Sequence, residues 1–402
     1  MGVDKAQPLR ARPSKDAESN KELKFFHTQI VLPMKKKIAV LPGDGVGPEV
    51  VDQAVKVLDA VADRFDHFFE YCYADVGAVA IDHHGDPLPE MTLETCREAD
   101  AVLFGAIGHP KYDNDPNASV RPEQGLLRLR KGLGLYANVR PVTTYPTLLH
   151  LSPLKEEKVR DVDFVIYREL TGGIYFGDKG RTATEAYDVC TYTREEVDRI
   201  SRLAFEAARQ RRGKVTCVDK ANVLESSRFW RDRVRQLASD YPDVALDFMF
   251  VDNAAMQIIQ WPRQFDVVLT SNMFGDILSD EASVISGSMG LLPSASMGLK
   301  TSMFEPIHGS YPQAAGEDLA NPMAAILSAA MMLESFDLFV EAKAIRTTIT
   351  HLLERGIGTA ELNLENKFSC SQIGDMIAYL LAESESIRLT DHKIAQRIST
   401  II

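Results

Sequence analysis

From Met34 onward the chain alternates short apolar runs with longer amphipathic ones, and this alternation restricts its fold more than any other feature. Ile38 to Leu41 reads as a strand, Pro42 to Pro48 as a turn, and Glu49 to Ala62 as a helix with Val50, Ala54, Val57, Leu58 and Val61 at helical spacing. Further strands are expected at Ala101 to Phe104, Val162 to Tyr167, Val215 to Val218, Phe248 to Val251 and Val267 to Leu269, with long helices such as Glu195 to Arg211 between them. Strands separated by helices predict an α/β protein with a largely parallel sheet. With 402 residues, roughly two domains are expected. Asn321 to Glu334 is apolar all round, which predicts a helix buried in a core or a subunit interface.

Composition excludes several partners. Lys and Arg number 45 against 57 Asp and Glu, a formal charge of −12. That balance gives no electrostatic footprint for nucleic acid or an anionic membrane. No stretch approaches the roughly 20 apolar residues that span a bilayer. The five cysteines (72, 96, 190, 217, 370) have no CxxC spacing, which fits five small buried side chains in a reducing, cytoplasmic setting. Residues 1–33 mix charges without period and read as a disordered extension, a mis-assigned start or an artefact.

Several residues could carry chemistry. Gly43, Gly45 and Gly47 lie between a strand and a helix, but Pro48 breaks the GxGxxG spacing, so a tight turn is the better reading than a dinucleotide fingerprint. Arg130 and Arg140 flank a Gly-rich turn and Arg168 follows a strand; their planar forks suit carboxylates. Asp276 and Asp280 share one helix face at i and i+4, a repulsive pair that a hard cation would relieve. By spacing alone the plainer reading, an acidic first turn with Asp280 in solvent, is favoured. Asp252, after an apolar strand, could be a third ligand. Lys220, just past a strand, could act as a general base if its surroundings lower its pKa, and Tyr175, between glycines, could donate a proton. Singly, each is more often an ordinary surface or structural residue. The nine histidines form no HExxH or Cys/His cluster, so zinc is not indicated; His83 and His84 are expected in an exposed turn.

Taken together, the motifs LPGDGVGPE (41–49), RELTGGIYFG (168–177), VDKANVLE (218–225), FGDILSDEAS (274–283), GLLPSASMG (290–298) and FEPIHGS (304–310) resemble the β-decarboxylating dehydrogenases, from about Met34 to about Glu334. The resemblance implies the isocitrate/isopropylmalate dehydrogenase-like fold: a two-domain α/β/α sandwich with a mixed, largely parallel sheet, not a Rossmann fold. Residues 34–135 and 288–402 would form the large, cofactor-side domain, and 136–287 the small one. The substrate loop, Pro122 to Arg130, resembles the isopropylmalate type, where Leu126 and Leu127, completed by Val223, form an apolar wall. The resemblance thereby implies NAD-dependent oxidation and decarboxylation of 3-isopropylmalate to 2-oxo-4-methylpentanoate, a step of leucine biosynthesis.

The same resemblance assigns roles. Arg130, Arg140 and Arg168 would bind carboxylates, with Asp252 also at the substrate. Asp252, Asp276 and Asp280 would hold Mg²⁺ or Mn²⁺. Lys220 and Tyr175 would move protons. Glu123, His308, Gly309, Ser310, Tyr311, Gln313 and Asn321 would meet the cofactor. Gln313 stands where NAD-using relatives often carry Asp; NAD remains the expectation. Lys220 and Asp252 would reach in from a second subunit, making a homodimer the catalytic unit. The alternatives are a D-malate- or tartrate-type sibling, against which Leu126 and Leu127 argue, and a non-catalytic subunit of this fold, against which the retained Lys220, Tyr175 and aspartates argue.

Overall fold

The computed structural model describes residues 33–114 and 118–383. The expected extension falls almost wholly outside the described residues, as do the last positions of the expected large domain. The strands are β1 (Lys35–Gly43), β2 (Phe68–Tyr73), β3 (Ala101–Ala106), β4 (Ala137–Thr143), β5 (Asp163–Glu169), β6 (Lys179–Arg181), β7 (Ala186–Asp188), β8 (Lys214–Asp219), β9 (Ala245–Phe250), β10 (Val267–Thr270), β11 (Pro293–Met297), β12 (Ser302–Pro306), β13 (Ile357–Gly358) and β14 (Asn366–Lys367). Ten of them form one sheet in the order β2-β1-β3-β12-β11-β4-β5-β10-β8-β9. Each flank is parallel, β2 through β12 on one side and β5 through β9 on the other. The centre is antiparallel, because β11 opposes both neighbours and β4 opposes β5. The expected mixed, largely parallel sheet is present, and its order differs from a Rossmann sheet.

Strand alternation divides the core. Ile38 and Val40 of β1, Val165 and Tyr167 of β5, and Val267 and Leu269 of β10 point into one cluster that runs along an entire face of the sheet. That face is covered by helices including Gly47–Phe65, Arg194–Arg209 and Met323–Ser335. In the last of these every residue from Met323 to Glu334 is buried, as its composition predicts; Glu334 is accommodated by Arg346, at 3.0 and 3.2 Å. The opposite face carries two separate clusters. Ala39, Leu41 and Met303 belong to one, and Phe164, Ile166 and Val268 to the other. Between them, on the same face, lie Asn138, Arg140, Arg168, Ser294, Ser296 and Glu305. The apolar cover is thus interrupted by polar side chains over the central strands, and this gap holds the candidate site.

Several local expectations are corrected. The segment 122–130 is not a loop but the start of a helix, Pro122–Gly132, with Arg130 in its last turn. Arg140 lies in the middle of β4 rather than at a strand or loop end. The strand expected to run to Val251 ends at Phe250, so Asp252 sits in the first turn of the helix Val251–Gln260. Asp276 is not in an acidic first turn, because its helix begins at Asn272. His83 and His84 are exposed, but they close a short helix, Ala78–His84, instead of lying in a turn. Cys96, Cys217 and Cys370 are buried as expected; Cys72 is half-buried and Cys190 exposed. Among the described residues, no helix is long and apolar enough to cross a membrane.

Candidate active site

The parallel flank β5-β10-β8-β9 is in register at its carboxyl ends: Arg168 lies beside Thr270, Thr270 beside Val218, and Asp219 beside Phe250. Arg168 lies within the last residues of β5 rather than after the strand, and the chain leaving the ends of β10, β8 and β9 supplies the helix Asn272–Ser283, Lys220 and Asp252. Strand carboxyl ends are where open α/β sheets place ligands.

Arg168 is the anchor. It is buried, and its guanidinium donates to Asn272 Oδ1 from Nε (3.1 Å) and Nη2 (3.0 Å) and to Asp276 Oδ1 from Nη1. Burial lowers its pKa and the Asp276 carboxylate offsets part of that, leaving it at about 10, so the guanidinium stays charged at neutral pH. Asn272 in turn donates to the Gly172 carbonyl at 3.1 Å, and its backbone N–H is received by the Tyr192 hydroxyl at 2.9 Å. Gly275 makes the approach possible: a Cβ there would lie 2.6 Å from both Cβ and Cγ of Arg168. The second oxygen of Asp276 accepts from the Tyr175 hydroxyl at 2.9 Å. Burial raises the Tyr175 pKa, and the hydrogen bond to Asp276 raises it further.

One turn on, Asp280 accepts from Arg140 Nη1 at 2.6 Å, and Arg140 also donates to Ser279 Oγ (2.9 Å) and Asn138 Oδ1 (2.7 Å). Arg130 donates to Glu305 at 3.1 Å, while its Nε is buried without a hydrogen-bond partner. The i, i+4 aspartate repulsion is therefore relieved in this chain by two arginines, one for each carboxylate. Lys220 meets Asp252 at 2.6 Å, and this bond holds the Asp252 carboxyl below the usual carboxylate range. Among the described residues, Asp252, Asp276 and Asp280 do not converge on one point.

A cleft of about 450 Å³ gathers Leu127, Arg130, Arg168 and Tyr175 with Leu170, Ile174, Phe176 and Met273. The structure thus places Leu127 at the cleft, but Leu126 packs against the core and Val223 stands 61% exposed on the turn after Lys220. Glu123 is exposed in the first turn of the Pro122–Gly132 helix. A wider groove of about 570 Å³ beside Leu154 and Trp261 contains none of the expected site residues.

The other parallel flank ends in a second cradle. Asp44, buried in the turn after β1, accepts from the backbone N–H groups of Ala78 (2.9 Å), Val79 (3.1 Å) and Gly108 (2.9 Å); burial raises its pKa. The N–H of Val46 donates to the Ser310 carbonyl at 2.7 Å, which fastens this turn to the loop of His308, Gly309, Ser310 and Tyr311. His308 Nε2 is buried without a partner, and burial lowers the imidazole pKa, leaving a neutral ring. Gln313 is exposed on the same loop. Asn321 is buried and donates to Glu361 at 2.9 Å.

Sequence reasoning missed Asn272, Asn138, Glu305, Gly275 and Glu361. Asn138 and Glu305 carried a signal, since each is a polar residue at an inward strand position. Asn272 and Glu361 carried none apart from position.

Residues 37–377 match the isocitrate/isopropylmalate dehydrogenase family. The chain is 56% identical over 346 residues to a 3-isopropylmalate dehydrogenase of Bacteroides fragilis (strain YCH46), covering 86% of this chain and 98% of that one. It is 54% identical over 347 residues to a 3-isopropylmalate dehydrogenase of Bacillus subtilis (strain 168), covering 84% and 95%. Among solved structures, isocitrate dehydrogenase from Methylococcus capsulatus superposes with a TM-score of 0.76 at 33% identity, covering 87% of this chain and all of that one (100%). A β-decarboxylating dehydrogenase from Thermococcus kodakarensis gives 0.73 at 36% identity, covering 86% and 96%.

Proposed function

The chain belongs to the isocitrate/isopropylmalate dehydrogenase family, and from that premise we propose that it is a 3-isopropylmalate dehydrogenase, oxidising the C2 hydroxyl with NAD and releasing the C3 carboxylate as CO₂. The product is 2-oxo-4-methylpentanoate, and the step belongs to leucine biosynthesis. One observation carries the reading beyond the relatives' names. The same cleft combines Arg130, Arg168 and Lys179, against one carboxylate, Asp188, with an apolar lining of Leu127, Leu170, Ile174, Phe176 and Met273, which suits a dicarboxylate bearing a branched alkyl group. Burying such a group contributes on the order of 1.5–3 kcal/mol.

Arg130, Arg140 and Arg168 bind the two carboxylates, the last from a fork already set by Asn272. Lys220 takes the hydroxyl proton as hydride leaves C2, and Tyr175 returns a proton to C3 of the enolate left after CO₂ departs. The raised pKa keeps Tyr175 protonated for that task.

Asp252, Asp276 and Asp280 suit Mg²⁺ or Mn²⁺, since they offer only oxygen donors and two of them sit one turn apart. When bound, the cation would polarise the C2 oxygen and the nicotinamide would accept the hydride. For the cofactor, the unpartnered His308 Nε2 is a fitting acceptor, since Nδ1 of the neutral ring donates to the Gly309 carbonyl; Gly309, Ser310, Tyr311, Gln313, Asn321 and Glu123 would supply the other cofactor contacts. The described parts of 34–135 and 288–402 would move as the cofactor lobe against 136–287, closing the cleft.

The test is NADH formation with 3-isopropylmalate, D-malate and isocitrate in parallel, each with Mn²⁺ and with NAD or NADP. Preference for 3-isopropylmalate with NAD is expected. Preference for D-malate would overturn the apolar-lining argument, and inactivity on all three would overturn the enzyme reading.

A further inference from the structure

We propose that Asp75, His83 and His84 form a surface site for a borderline divalent cation of the zinc type, separate from the oxygen-only site of the aspartates. Asp75 Oδ2 lies 2.8 Å from His83 Nδ1 and 3.3 Å from His84 Nε2, and one ligand atom from each of the three residues falls within 4.8 Å of the others. Ligands on a tetrahedral ion with bonds of about 2.0–2.1 Å stand roughly 3.3 Å apart, the separation found between Asp75 Oδ2 and His84 Nε2. Two imidazoles and one carboxylate are a donor set for zinc-like ions rather than for Mg²⁺, and water would fill the fourth position. The expectation from the sequence that zinc is not indicated considered only histidine and cysteine spacing; the third ligand stands eight residues upstream.

The convergence of two adjacent histidines has a structural cause. Their short helix ends at Gly85 in the left-handed region (φ 71°), while Asp75 is tethered at its carbonyl by Thr92 Oγ1 at 2.8 Å. The two rings meet edge-on, with centroids 5.9 Å apart. All three side chains are accessible, at 38% exposure for Asp75, 60% for His83 and 50% for His84.

The segment has a strategic position. The helix Ala78–His84 begins on the Asp44 carboxylate beside the cofactor turn, and Asp86 just after it pairs with Arg128 of the helix that carries Leu127 and Arg130. A cation here would stiffen the connection between those two elements without touching a reacting group. Its readouts are therefore zinc stoichiometry and thermal stability.

The experiment uses the full chain, stripped with chelator and titrated calorimetrically with Zn²⁺ in excess Mg²⁺. One equivalent of Zn²⁺ per chain and a rise in Tm are expected. The His83→Gln/His84→Gln variant should lose at least about 100-fold in zinc affinity and the Tm rise, with turnover in Mg²⁺ unchanged. Asp276→Asn should retain the equivalent. Absence of binding, unchanged binding in the histidine variant, or loss of the equivalent in Asp276→Asn would each overturn the proposal.

Discussion

Arg168 shows how much of the site's geometry depends on a residue with no side chain. Its guanidinium reaches Asn272 and Asp276 only because Gly275 leaves room, and the added methyl of Gly275→Ala would sit 2.6 Å from the arginine stem. Overpacking of that kind costs about 1–3 kcal/mol. The variant should lower Tm and raise KM for the diacid more than KM for the nicotinamide. A KM that stays put would mean that the fork is not set by this contact. Tyr175 makes a second case. Burial and then the Asp276 hydrogen bond raise its pKa, so the phenol keeps its proton past the ordinary tyrosine value of about 10. Tyr175→Phe should cut kcat by roughly 10²–10⁴ with KM little changed. The wild-type pH–rate profile should show no alkaline limb from this group below about pH 10; a limb there that disappears in the Phe variant would contradict the raised pKa. The arginines, aspartates and Tyr175 stood out in the sequence only through the family resemblance, since by spacing alone each reads as an ordinary surface or structural residue. Gly275 did not stand out, since its role exists only once Arg168 passes beneath it.

Elements that carry a regular period were readable, and those that break it for the site were not. The flanking strands β1, β3, β8 and β10 are apolar runs, and their positions were anticipated to within a few residues. β11, with the sequence PSASM, escaped because its serines point into the polar gap between the two half-cores, while Ala295 and the partly buried Met297 serve the continuous core. The helix Pro122–Gly132 was expected as a loop, because the family resemblance, and not any period within 122–130, supplied that reading. In the structure Pro122 is a helix-starting residue, and Gly125 lies against Pro87 where a Cβ would come 2.6 Å from its carbonyl oxygen. The turn after β1 belongs to this scale as well. Gly45 has φ +60°, and a Cβ there would lie 1.9 Å from the Ser310 carbonyl oxygen. Gly45→Ala must therefore displace the His308–Tyr311 loop. The expected result is a raised KM for NAD and a lower Tm, with KM for the diacid nearly unchanged; an unaltered NAD KM would detach this loop from cofactor binding.

At the scale of the whole molecule, the question is whether one chain contains a complete site. Asp276 and Asp280 face Arg168 and Arg140, whereas Lys220 and Asp252 face each other, and among the described residues the three aspartates do not meet. The helices Val251–Gln260 and Asn272–Ser283 also present Met256 at 53% and Ile277 at 58% exposure, apolar side chains that a second copy would cover. If each site takes Lys220 and Asp252 from the partner, two inactive variants should repair one another. In a heterodimer of Lys220→Ala with Asp276→Asn, one site receives an intact Asp276 from its own chain and an intact Lys220 from its partner, while the other site receives both defects. Random reassortment after mild denaturation makes about half of the dimers mixed, each with one good site of two, so about a quarter of wild-type kcat should return. Each variant alone should lose about 100-fold or more, at least the loss that follows when a partner one shell out from a metal is removed. Met256→Asp/Ile277→Asp should elute as a monomer and be inactive, although its Lys220 and Asp276 are untouched. If the mixed variants stay inactive after reassortment is verified by mass spectrometry, Lys220 serves its own chain, and the cleft must close within a single subunit.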